Sequence, residues 1–71
     1  MANMATTDVL FVTLTQNGRH LANVCICGAS SMNDVVRRVR GAVPGAAGMT
    51  RLSLRNSTRG WSADHSVFFK Q

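Results

Sequence analysis

The chain has 71 residues, 45% of them apolar, with eight lysines and arginines against three acids and a net charge of +5. That length holds one domain, which buries only about 60% of the surface it exposes when unfolded, so it must be well packed or share its surface with a partner. The apolar share is too high for a disordered basic tail, and no apolar run approaches the roughly 18 residues of a membrane span.

No basic stretch followed by an apolar one opens the chain. A soluble, cytoplasmic single domain over residues 1–71 is therefore expected, without a membrane partner, and with residues 1–7 (MANMATT) as a frayed end.

Asp8 to Gln16 (DVLFVTLTQ) is rich in β-branched and aromatic residues and predicts a strand. It runs into Asn17-Gly18, the strongest short-range hairpin signal, and Arg19 to Cys27 (RHLANVCIC) is the returning strand. Gly28-Ala29-Ser30 breaks that strand. Ser31, with Asp34 three residues on, resembles a capping box in which Asp replaces the usual Glu. Met32, Val35, Val36, Val39 and Val43 then recur at helical spacing and form one apolar stripe. Pro44-Gly45 ends the helix.

Thr50 to Asn56 (TRLSLRN) alternates cleanly, Leu52 and Leu54 to one side and Arg51, Ser53 and Arg55 to the other. A turn over Asn56 to Gly60 leads to the last strand, Trp61 to Lys70.

The order ββαββ predicts an α+β domain with a four-stranded sheet and one helix on one face. The first and last strands hold the longest apolar runs (Val9–Val12 and Val67–Phe69) and are expected to be central; the second and third carry charge and are expected at the edges. This gives a mixed sheet of order 2-1-4-3, its first and last strands parallel, joined by a right-handed crossover. In element order alone it resembles the β-grasp arrangement.

A three-residue turn with a glycine bulge in the first hairpin would gather Leu10, Val12, Leu14, Ala22, Val24 and Ile26 on one face. The expected core adds Val35, Val36, Val39, Val43, Leu52, Leu54, Val67 and Phe69.

Apart from Lys70, every basic residue is arginine, whose planar fork binds phosphate or carboxylate in two places and stacks on rings. The face away from the helix is expected to carry Phe11 and Phe68 on neighbouring strands, flanked by Arg19, Arg51, Arg55 and Lys70, with Asn23 and Ser66 nearby. Arg37, Arg38 and Arg40 lie off the helix stripe, either as a solvated face or as a phosphate track. Arg59 stands near Trp61, for local stacking or as an anchor to a partner.

Cys25 and Cys27 share a strand face two positions apart and read as reduced residues in or near the core; a zinc site with His20 and His65 has no familiar spacing. No metal, cofactor or catalytic residue is expected. Asp64 and His65 are strand neighbours that point to opposite faces, and the glycine-rich Gly41–Gly48 lacks a Lys-Ser/Thr.

Two readings follow, neither of them an enzyme. In the first, Phe11, Phe68 and the arginines bind single-stranded nucleic acid, DNA or RNA, rings stacking bases and cations holding phosphates. In the second, the chain is a protein–protein interaction module that docks on an acidic protein surface of a nucleic-acid-handling complex, or covers its open face as a homodimer. By analogy of size and charge alone, this second reading extends to an inhibitor of the viral or mobile-element type.

Overall fold

The structure, a computed structural model, describes residues 4–70. Its elements are β1 (Val9–Gln16), β2 (Arg19–Cys27), α1 (Met32–Ala42), β3 (Gly48–Asn56) and β4 (Trp61–Phe69), in the expected ββαββ order. β1 starts one residue later than expected, β3 two residues earlier, and β4 ends one residue sooner.

All the strand pairings are antiparallel, and the sheet order is β2-β1-β3-β4. This corrects the expected order 2-1-4-3 and its parallel central pair. β3 is the second central strand, and β4 is an edge. The cause is that just one face of the sheet is covered. β3 buries Thr50, Leu52, Leu54 and Asn56 beneath the helix layer while Arg51 and Arg55 project from the other face. A central strand can therefore carry charge, provided every charge sits on the uncovered side. β2 and β3 both run antiparallel to β1, so they are parallel to each other, and α1 links them across β1.

The first hairpin pairs Leu10 with Ile26, Val12 with Val24, and Leu14 with Ala22, the like-with-like register expected. The device differs. Gln16 pairs with Arg19 around a two-residue turn, with φ of 52° at Asn17 and 75° at Gly18, the signs a type I′ turn requires. Between Leu14↔Ala22 and Thr15↔His20 the register shifts by one residue, making Leu21 a bulge. The bulge, rather than a longer turn, restores the separation of apolar from polar positions.

Ser31 caps α1 by accepting from Asp34 N at 3.2 Å, and Asp34 Oδ2 accepts in turn from Ser30 N. Val35 and Val39 are fully buried against Leu10, Val12, Leu14, Ile26, Leu52, Leu54 and Phe69. Val24, Val36, Val43 and Val67 pack on the margin, as do Met4, Met32 and Trp61. Residues 1–3 of the expected frayed end lie outside the described residues; Ala5 and Asp8 form a turn, with Asp8 N donating to Ala5 O at 2.9 Å.

A polar network ties this turn to the β3–β4 connection. Asn56, with no exposed surface, donates through Nδ2 to Asp8 Oδ2 at 2.8 Å, and its Oδ1 accepts from Thr58 N and Arg59 N. Arg59 Nε completes the set at 2.6 Å from Asp8 Oδ2. The Asn56 hydrogen bond holds the buried Asp8 carboxyl below the ordinary carboxylate value. The Ala5 amide and Arg59 add to this effect, and burial opposes it.

Candidate functional site

The face away from α1 is built in cross-strand rows. One row runs Cys25, Phe11, Arg55, Ser62, and the next Asn23, Thr13, Ser53, Asp64. A third holds Thr15, Arg51 and Ser66, and Met49 and Phe68 pair at the end. Sheet twist makes the first two rows a shallow concavity of about 630 Å³, lined among others by Phe11, Asn23, Ser53, Arg55 and Asp64.

Arg55 lies over the ring of Phe11, 5.2 Å from its centroid, while the ring stays 42% exposed. This is a cation–π contact on an open platform. Arg51, four positions back on the same face of β3, pairs with Asp64 at 2.5 Å. That contact is the main reason the Asp64 carboxyl is held low, with the Ser53 hydroxyl helping and burial opposing.

Phe68 is on the expected face but not beside Phe11. The whole of β3 separates their strands, and the Met49–Phe68 row lies six residues along β3, about 20 Å, from the Phe11–Arg55 row. Met49 and Phe68 are each 62% exposed, which makes an apolar pair at one end of the face.

The other cations are dispersed. Arg19 is exposed beside the Asn17-Gly18 turn, but it pairs with Gln16, which bonds to Thr50 on the helix side, so the bulge at Leu21 leaves His20 and not Arg19 on the open face. Lys70 is exposed just past β4. Arg37 and Arg38 both reach Asp34, and the Arg37 contact is the largest cause that holds this carboxyl low. Arg38 also donates to Cys27 O at 2.8 Å and Gly28 O at 3.2 Å.

Arg40 donates to Pro44 O at 2.6 Å and Lys70 O at 2.9 Å, with its guanidinium 5.7 Å from the Phe69 centroid. It clamps the helix end to the end of β4 and adds nothing to a phosphate track on the open face. Arg59 is turned to the buried Asp8 rather than presented as a rim anchor. Of the nine expected site residues, Phe11, Arg51, Arg55 and Phe68 share the open face, Lys70 flanks it, and Arg19, Arg37, Arg40 and Arg59 lie elsewhere.

Cys25 and Cys27 are exposed on the open face, which corrects their expected place in or near the core. The bulge at Leu21 sets the phase of β2 so that Ala22, Val24 and Ile26 turn to the helix and the thiols turn away. Ser53 and Asp64, absent from the expected site, line the concavity. The alternation of Arg51, Ser53 and Arg55 already placed Ser53 there, whereas the position of Asp64 depended on β4 pairing with β3.

Asp64 and His65 stand opposite Ser53 and Leu52 and so point to opposite faces. Among the described residues no helix is long and apolar enough to cross a membrane. Comparison with protein families, curated proteins and solved structures finds no match for this chain.

Proposed function

We propose that the chain is a non-enzymatic binding module that takes single-stranded nucleic acid on its open sheet face. Phe11 is the stacking platform; Arg55, Arg51 and, at the end of the face, Lys70 meet phosphates. The observation that carries this reading is the Arg55–Phe11 stack at the margin of the concavity, in a chain of net charge +5. A base that stacks on such a ring contributes about 1–3 kcal/mol, and a guanidinium beside it can turn to the phosphate without leaving the site.

Shape favours a single strand over a duplex. Three inter-strand spacings make the sheet about 14 Å wide before side chains are added, more than the ~12 Å major groove admits. Fluorescence anisotropy with labelled single-stranded and duplex oligonucleotides tests the reading. It expects the single strand to bind at least about tenfold more tightly, and equal or absent binding contradicts it.

The exposed Met49–Phe68 pair supports a second reading, a protein–protein interface. An apolar pair flanked by Arg51 and Lys70 suits an acidic protein surface with an apolar centre, as an inhibitor of a nucleic-acid-handling complex would require, or a second copy of the chain.

A further inference from the structure

We propose that Cys25 and Cys27 form a two-thiolate site for a soft, two-coordinate d10 cation, with monovalent copper as the probe. The inference is independent of nucleic-acid binding. Both thiols are free, exposed and on the same face of an edge strand.

Same-face neighbours on a strand lie about 6.7 Å apart, near the ~6.8 Å limit of Cα separation for a disulfide, so an S–S bond within β2 would be strained. Metal–sulfur bonds of about 2.3 Å instead ask for sulfurs about 4.5 Å apart across a linear ion, which two inclined cysteine side chains can reach.

The donor set selects the ion. Zinc needs about four ligands, and among the described residues no group of three or more His, Cys, Asp or Glu could hold a metal. His20 Nε2 is within 3.1 Å of Asn23 Oδ1, and His65 stands opposite Leu52 on the helix side of the sheet. Two thiolates with no third donor suit cations that accept two soft ligands, and thiolates favour Cu(I) over harder ions.

The backbone is held ready. Arg38 grips the carbonyls of Cys27 and Gly28, and Cys25 and Cys27 stand opposite Phe11 and Val9 in the β1 ladder. Burial, and then the neighbouring Cys27, push the Cys25 thiol above its ordinary value. Binding replaces two S–H bonds with two S–Cu bonds and releases two protons, so affinity rises with pH. No electron is transferred.

The test is an anaerobic Cu(I) titration of the full chain against a colorimetric Cu(I) chelator, with native mass spectrometry for stoichiometry. The site predicts one ion per chain. Cys25→Ser and Cys27→Ser should each lower affinity at least about tenfold, with the circular dichroism unchanged because both positions are exposed. Failure to take copper from the chelator, one ion shared between two chains, a single-serine variant within about threefold of the native chain, or Zn(II) bound as tightly as Cu(I), would each overturn it.

Discussion

The guanidinium of Arg55 sits 5.2 Å from the centroid of the Phe11 ring, across the β1–β3 pairing in which the two residues are direct partners. Because the contact is exposed on the open face, removing it costs the fold little and removes the proposed stacking platform. Phe11→Ala and Arg55→Ala are each expected to weaken single-strand binding by about 5- to 150-fold, equivalent to roughly 1–3 kcal/mol. Melting temperatures should move by only a few degrees. Anisotropy titrations beside thermal melts check both halves.

Arg51 behaves differently because Asp64 already engages it. Arg51→Ala should weaken binding less than Arg55→Ala. Asp64→Asn should tighten it severalfold, since it frees Arg51 and removes a negative charge from a face that meets phosphates. A looser Asp64→Asn complex would show that the carboxylate itself contacts the ligand.

In the helix, Val39 is fully buried, and Val39→Ala should cost about 1–3 kcal/mol. Arg37 is exposed, and its removal should cost less than about 0.5 kcal/mol. Arg40 donates to the Val43, Pro44 and Lys70 carbonyls at the end of the fold, so Arg40→Ala should cost roughly 1–2 kcal/mol. Composition alone treats the two arginines as equivalent surface charges; chemical denaturation of the three variants separates them.

Asp8, Asp34 and Asp64 are all held below the ordinary carboxylate value of 3.8. A carboxylate whose folded value is lowered stabilises the fold above its unfolded value, and that contribution is lost as pH falls through the folded one. The melting temperature should therefore be nearly flat from pH 7 to about 5 and decline below about 4. Asp8→Asn should lower stability at pH 7 and flatten the acid decline. Asn56→Ala, which takes one of three partners from Asp8 and leaves two turn amides without their acceptor, should cost about 1–3 kcal/mol.

The Met49–Phe68 pair predicts association if the second copy is its partner. Light scattering should then show mass rising with concentration, and Phe68→Glu should abolish the rise. A native chain that stays monomeric at high concentration rejects self-association.

Local structure was legible in the sequence because its signals are local. Asn17-Gly18 set the hairpin, Ser31 and Pro44 bounded the helix, and the alternation of Leu52 and Leu54 with Arg51 and Arg55 gave the faces of β3. Strand order was not legible. Arg51 and Arg55 suggest an edge strand because charge favours edges and long apolar runs favour the centre, yet both arginines sit on the uncovered face of a central strand, and the Val67-Phe68-Phe69 run is split, Phe68 turning outward and Phe69 inward. With β4 at the edge, Phe68 no longer neighbours Phe11. The role of Arg59 is not legible for another reason: its partner Asp8 is 51 positions away, with no periodicity to link them.

The most direct measurement of the central claim is the salt dependence of single-strand binding, native chain against Arg55→Ala. With about three cations of the open face on phosphates, the logarithm of the binding constant should fall against the logarithm of salt with a slope of about −2, and Arg55→Ala should make the slope shallower by about 0.7. A slope near zero, or one that Arg55→Ala leaves unchanged, would contradict the account.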